Sequence, residues 1–357
     1  MREFRIAVLP GDGIGPEVMN EALKVLRILK DKDSTFQFHA DIFSWNSEYY
    51  LEHGRMMPEN GLDILKNYDA ILFGAIGDPR VPDDISVWEL IMPIRKRFCQ
   101  YVNLRPVKKL KGIPGPFMNQ DRPIDFVIVR ENAEGEYSNS GGRIYQGTEQ
   151  EIAVQNTIIT RKGTERIARY AFQYAKKHGY QKVINATKSN AVVHSMKLWD
   201  EVIEHVANQY PDIQLEKYYI DALAAYFVQR PDTLQVIVAS NLFGDILSDL
   251  GSALVGGLGI SPSANINPEG VFPSMFEPVH GSAPDIAGKG KANPIAQIWS
   301  TALMLQSFGR GDLARIILKA IEKVTEHGEK LTPDLGGNST TIEMGEEIVR
   351  QMVKIMS

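Results

Sequence analysis

The sequence predicts an α/β fold, and three observations carry that reading. First, apolar strand-like runs alternate with stretches of helical period. The runs are RIAVLP (5–10), AILFGA (70–75), DFVIVRE (125–131), KVINATK (182–188) and LQVIVAS (234–240), and the helical patterns include PEVMNEALKVLRILK (16–30) and TERIARYAFQYAKKHG (164–179). Second, a helix stops where its chemistry stops it: Gly179 follows the basic last turn Lys176, Lys177, His178. Third, the glycine turn after the first run lacks dinucleotide-fingerprint spacing. In LPGDGIGPE (9–17), Gly11, Gly13 and Gly15 alternate, and Pro16 stands where the fingerprint has its last glycine. A proline suits a first helical turn. The later stretch LKDKDSTFQF (29–38) is a helix end and a strand start, with no acidic residue closing a second strand to hold a ribose. An ordinary Rossmann cradle is therefore not expected.

The bulk numbers bound the rest. A chain of 357 residues, 43% hydrophobic, buries a large core and suggests two domains. Its net charge of −5 and scattered lysines and arginines give no footprint for nucleic acid. One cysteine, Cys99, excludes a disulfide framework and a multi-cysteine metal site, fits a reducing compartment, and is expected to be a small buried hydrophobe. The first apolar run (4–9) is too short for a signal peptide, and no stretch approaches a membrane span, so the cytoplasm is expected. Residues 138–160 break the rhythm, with a Gly-Gly turn expected between two strand-like arms and a role as a dimer arm. After residue 293 the chain turns helical and is expected to pack back on the first domain.

Four constellations carry chemistry. SNLFGDILSDLG (240–251) follows an apolar run and sets Asp245 and Asp249 four apart, on one helical face. Like charges at that spacing need water or a cation, so the pair reads as a solvated acidic face or as oxygen ligands for Mg²⁺ or Mn²⁺. The neighbours Leu242, Phe243, Ile246 and Leu247 leave little room for a fully wet helix. Arg95, Arg105 and Arg130 lie on or beside apolar segments, where a guanidinium needs an anion. Glu131, Glu134 and Glu136 offer structural salt bridges, whereas three converging forks would select a small dicarboxylate. Tyr137 and Lys188 form the third set. At the end of a buried strand, desolvation and neighbouring cations would lower the Lys188 pKa and permit base chemistry. Last, FEPVHGSAPDIAGKGKANP (276–294) is a long loop able to bring backbone N–H groups to a ligand, with His280 and Asp285 as polar anchors; the alternative is an ordinary surface loop.

Together with PGDGIGPE, RENAEGEY, TKSN and LTPDLGGNSTT, these stretches resemble, in order and spacing over nearly the whole chain, the β-decarboxylating dehydrogenases: the isocitrate, 3-isopropylmalate and tartrate/D-malate dehydrogenases. The similarity is greatest to the tartrate/D-malate branch, in DISVWELIMPIRKRFCQYVNLRP and IDALAAYFV. The resemblance implies an isopropylmalate dehydrogenase-like two-domain fold with a large mixed sheet: a first domain of 1–98 plus 256–357 on the cofactor side, and a second of 99–255 for dimerisation and metal. It implies Arg95, Arg105 and Arg130 as clamps for substrate carboxylates, with Trp88 and Glu89 at the substrate's C3. Asp221, Asp245 and Asp249 would hold Mg²⁺ or Mn²⁺. Lys188 would take the proton of the 2-hydroxyl as hydride leaves for NAD, and Tyr137 would protonate the enolate carbon after CO₂ is lost. Ile14, His280, Gly281, Ser282, Ala283, Pro284, Asp285 and Asn293 would bind NAD. Lys188 and Asp221 would reach the site of a second subunit, so a homodimer is expected. Two departures from the branch are Glu89, where glycine is expected, and Pro93, where a basic residue is expected. An acidic Glu89 counts against a third carboxylate and so against isocitrate, while 3-isopropylmalate stays open. A non-catalytic regulatory subunit would lack part of this set, which is complete here.

Overall fold

A computed structural model describes residues 3–116 and 123–357; Met1, Arg2 and residues 117–122, the last inside the expected second domain, lie outside the description. The strands are β1 (Glu3–Gly11), β2 (Gln37–Ile42), β3 (Ala70–Ala75), β4 (Val102–Lys108), β5 (Asp125–Glu131), β6 (Gly141–Ile144), β7 (Ile152–Gln155), β8 (Lys182–Thr187), β9 (Gln214–Tyr219), β10 (Val236–Ala239), β11 (Pro262–Ile266) and β12 (Ser274–Pro278). The chain divides into one unit of Met1–Gln100, Lys108–Asp121 and Ser252–Ser357, and another of Tyr101–Val107 and Arg122–Gly251.

In the first unit the sheet order is β2-β1-β3-β12-β11. Its neighbours are parallel except for the antiparallel pair β11–β12, which makes the sheet mixed. Every residue of β3 is buried, the signature of a strand covered on both faces. Helix Ile295–Ser307 is apolar almost all round and buried through Leu305, so it serves as a core helix against β11, β12 and helix Gly15–Lys32. The last helix, Thr341–Met356, opens on a capping box between Thr340 and Glu343 and packs on helix Gly15–Lys32.

In the second unit the order is β4-β5-β10-β8-β9, with β5, β10, β8 and β9 parallel. Parallel strands need crossover connections, and helix Arg161–His178 lies in the one from β5 to β8, which flank β10. Thr160 caps it by accepting from the Gly163 N–H, and Gly179 ends it in the left-handed conformation at φ 75°.

Two expectations are corrected. Gly141 and Gly142 are not a turn: they open β6 and pair with Gln155 and Val154 of β7, and the reversal falls in residues 145–151, with Gly147 at φ 79°. A Cβ at Gly141 would run into the Val154 carbonyl, so glycine here permits close strand approach instead of a turn. Cys99 is exposed, because it sits at φ 49° in the turn that ends helix Met92–Arg97.

The glycine turn after β1 has a structural explanation. Gly11 and Gly13 take φ 75° and 56°, and a Cβ on Gly13 would strike the Ser282 carbonyl oxygen. Between them Asp12, 8% exposed, accepts from the Ser47 N–H (3.0 Å), the Ser47 hydroxyl (2.6 Å) and the Gly77 N–H (2.9 Å). One carboxylate thus ties three segments. Asp12→Ala strands these donors and is expected to cost about 2–4 kcal/mol in urea unfolding, with Asp12→Asn intermediate. A loss below the error of the extrapolation would refute this role.

Candidate active site

Asp245 is the hub of the second unit. Helix Asn241–Val255 starts directly after buried β10, whose Ala239 lies opposite Arg130 of β5. Arg130, 3% exposed, donates from Nη1 to Asp245 Oδ1 (2.6 Å) and from Nε and Nη2 to Asn241 Oδ1 (3.0 and 2.7 Å). Asn241 in turn donates to the Glu134 carbonyl at 3.0 Å. Gly244 makes room: a Cβ there would come within 2.6 Å of the Arg130 side chain. Arg105 on β4, also buried, donates from Nη1 to Asp245 Oδ1 (3.2 Å) and to Ser248 Oγ (2.5 Å), while its Nε reaches Asn103 Oδ1 (2.6 Å). The Tyr137 hydroxyl donates to Asp245 Oδ2 at 3.0 Å, with its ring beneath the Arg130 guanidinium at 5.5 Å.

This arrangement sets the electrostatics. Burial, reinforced by the Asp245 charge, pushes the Tyr137 phenol up, so it keeps its proton through the neutral range. Asp249, one turn along, is drawn up by burial and by Asp245 and held back by Arg105, 3.8 Å away. The anions serving Arg105 and Arg130 come from the helix, whereas Glu131 takes Arg166, Glu134 caps Thr160 and Glu136 accepts from Thr157. Along the helix Leu247 is buried, Leu242 and Phe243 are half-buried and Ile246 is 57% exposed, so the helix is neither fully wet nor fully covered.

Lys188 and Asp221 form a separate pair. Lys188 follows β8, and its Nζ lies 2.5 Å from Asp221 Oδ1, in the first turn of helix Ile220–Gln229. The sequence reading placed cations beside this lysine; its neighbour is a carboxylate. The lysine holds Asp221 below the usual carboxylate range. Among the described residues no three His, Cys, Asp or Glu side chains gather as a metal centre, so Asp221 does not join Asp245 and Asp249 within one chain.

The remaining residues lie in the first unit. Arg95, in helix Met92–Arg97, donates from Nη2 to Glu277 Oε1 (2.8 Å), and its buried Nε has no partner among the described residues. Asn265 also donates to Glu277 Oε1, at 2.6 Å. Sequence reading missed Glu277, although it lies inside the quoted stretch 276–294. Trp88 and Glu89 occupy a π-helical turn, Val87–Ile91, closed by the Met92 N–H on the Val87 carbonyl. Pro93 explains the turn: it has no N–H for an α-helical bond to Glu89, and its ring would crowd that carbonyl. Lys96 lies 5.0 Å over the Trp88 ring, and the half-buried Glu89 carboxylate has no partner among the described residues.

The loop 280–293 is tied to the glycine turn, with the Ile14 N–H donating to the Ser282 carbonyl at 2.9 Å. Gly281 and Pro284 flank this anchor, and Ala283 stands at φ 42°, rare for a residue with a side chain. Burial pulls the His280 imidazole down, so it is neutral. Its Nδ1 lies 2.9 Å from the Gly281 carbonyl, which only an Nδ1–H satisfies; Nε2 is then a bare acceptor, buried and without a partner among the described residues. The Asn293 amide donates to Asp334 (3.0 Å) and its oxygen accepts from the Ile295 N–H (3.0 Å). Asp285 is exposed, and its carbonyl accepts from Lys289 Nζ at 2.6 Å.

The chain is similar to known proteins over nearly its whole length. The isocitrate/isopropylmalate dehydrogenase family model matches residues 5–348. The chain is 52% identical over 356 residues to a probable tartrate dehydrogenase/decarboxylase of Bacillus subtilis (strain 168), covering 99% of both. It is 50% identical over 362 residues to the decarboxylating D-malate dehydrogenase of Escherichia coli (strain K12), covering 99% of this chain and 100% of that one. Among solved structures, isocitrate dehydrogenase from Methylococcus capsulatus superposes with a TM-score of 0.89 at 36% identity, covering 98% of this chain and 99% of the other. The expected α/β fold with a large mixed sheet is therefore the observed one, and the chain belongs to the isocitrate/isopropylmalate dehydrogenase family as an oxidative decarboxylating enzyme.

Proposed function

We propose that the protein oxidises and decarboxylates D-malate or tartrate with NAD and Mg²⁺ or Mn²⁺. The observation that carries this reading is the meeting of Arg105, Arg130 and a protonated Tyr137 on Asp245. Two buried guanidiniums suit a carboxylate-bearing substrate, and a phenol held in its acid form suits proton delivery. The names of the relatives narrow the substrate to small 2-hydroxy dicarboxylates.

The donor sets fit both cofactors. Asp245 and Asp249 offer oxygen only, as a hard cation prefers, and a cation would relieve their mutual repulsion. The orphaned His280 Nε2 asks for a donor, which the amino and hydroxyl groups of NAD provide. Bound NAD supplies the hydride acceptor, and a bound divalent cation polarises the substrate's hydroxyl and carboxyl oxygens. Arg95, Arg105 and Arg130 hold carboxylates, Lys188 removes the hydroxyl proton, and Tyr137 delivers a proton to the carbon that loses CO₂. Lys188 and Asp221 act in the site of a second copy, so the working form is a homodimer. Supporting this, the hairpin of β6 and β7 exposes Ile144, Tyr145, Ile152 and Val154, an apolar arm that calls for a cover. A single cysteine, with no second to form a disulfide within the chain, supports a reducing compartment such as the cytoplasm.

Steady-state kinetics test the substrate. A carboxylate and a tryptophan at C3 crowd a branched alkyl group, so D-malate is expected to exceed isopropylmalate in kcat/KM by about one to two decades, a misfit of about 1–3 kcal/mol. A preference for isopropylmalate overturns the substrate assignment. Glu89→Gly is expected to change the D-malate to tartrate ratio; an unchanged ratio removes Glu89 from the C3 pocket. A chelator is expected to abolish turnover, with full activity in its presence contradicting the metal requirement. Asp285 repels a 2′-phosphate, so NAD is expected to be preferred to NADP, and equal kcat/KM for the two would exclude that role.

A further inference from the structure

We infer that Glu17 is a positioning residue for nucleotide binding, an internal anion that holds the glycine-rich end of the loop 280–293 in its working shape. The inference rests on the reading of that loop as the NAD site. Glu17 lies in the first turn of helix Gly15–Lys32, some 270 residues away in sequence, and its two oxygens accept from the Gly288 N–H (2.5 Å) and the Gly290 N–H (3.1 Å). Gly288 and Gly290 stand at φ 73° and 62°, with open space where a Cβ would be, so backbone conformation and not crowding demands glycine at both. Two amides separated by one residue and converging on a carboxylate form an anion-binding concavity of the kind that elsewhere cradles phosphate. Here the chain fills it itself. The segment is also fastened at its far end, where Thr341 donates its N–H to the Gly290 carbonyl (2.9 Å) and its hydroxyl to the Ala292 carbonyl (2.6 Å). Lys289, between the two glycines, turns back to the Asp285 carbonyl and so couples the clamp to the residue read as repelling a 2′-phosphate. Two consequences follow. The amides at 288 and 290 are not donors for the cofactor's pyrophosphate, and releasing Glu17 loosens the Asp285 segment without removing any group that touches the nucleotide.

The test uses the full-length protein with three readouts: amide hydrogen exchange without ligand, NADH affinity by fluorescence titration, and KM for D-malate. Glu17→Ala is expected to raise exchange at Gly288 and Gly290 and to weaken NADH about tenfold, as when the competent loop is populated one time in ten, while KM for D-malate stays within twofold. Glu17→Gln, which keeps an acceptor but no charge, falls between. Helix Gly311–His327 should stay as protected as in the parent, which separates release of the loop from loss of fold. Unchanged exchange at the two glycines, or NADH affinity within twofold of the parent while Asp285→Ala weakens it, overturns the positioning role. If Asp285→Ala also leaves NADH binding intact, the loop is not the nucleotide site and the role falls with that reading, whereas exchange alone then judges the clamp.

Discussion

The second unit is organised around the demand that two buried guanidiniums find a shared anion. Arg105 and Arg130 sit on neighbouring strands of a sheet covered by apolar side chains, where an uncompensated cation would cost several kcal/mol. Asp245 meets both through one oxygen and Tyr137 through the other. That demand accounts for features that look unrelated in the sequence. Gly244 is small so that Arg130 can lie against the helix, Asn241 caps the same guanidinium, and Ser248 takes the far side of Arg105. It also gives the site its chemical poise, since burial, reinforced by the carboxylate that balances the arginines, keeps the phenol protonated.

The first unit uses carboxylates in a similar way, as cross-links between turns. Asp12 joins the first glycine turn to helix Ser47–His53 and to Gly77; Glu17 joins it to the glycines at 288 and 290; Glu277 joins Arg95 to Asn265. Each accepts hydrogen bonds from groups far apart in sequence, which suits loops that must hold a shape without regular secondary structure. The glycine turn of residues 11–15 is thus one side of a scaffold, and the anions it works with belong to the chain.

Much of this was legible in the sequence where local physics decides. The runs at 70–75 and 125–131 became strands with the same limits, because an unbroken apolar stretch between turn signals has few other uses. Gly179 ended its helix for the reason its position suggested. Asp245 and Asp249 share a helix, as their spacing required. Legibility failed where a residue's role depends on a distant neighbour. Gly141 and Gly142 looked like a turn, yet they are shaped by Val154 across the hairpin. Lys188 was assigned cationic neighbours, and its partner turned out to be Asp221, thirty-three residues on. Glu277, Asp12 and Glu17 were passed over because their donors are remote backbone and side-chain groups that no spacing rule brings together.

In the proposed homodimer one chain carries Arg105, Arg130, Tyr137, Asp245 and Asp249 for a site that the second chain completes with Lys188 and Asp221. Subunit hybrids measure this directly. Lys188→Ala and Asp245→Asn chains, each inactive alone, are co-expressed with different tags and the hybrid is isolated. In a two-fold dimer with shared sites, one of the hybrid's two centres receives every intact residue, so about half the parent's activity per dimer is expected. A hybrid as inactive as either parental variant would contradict it.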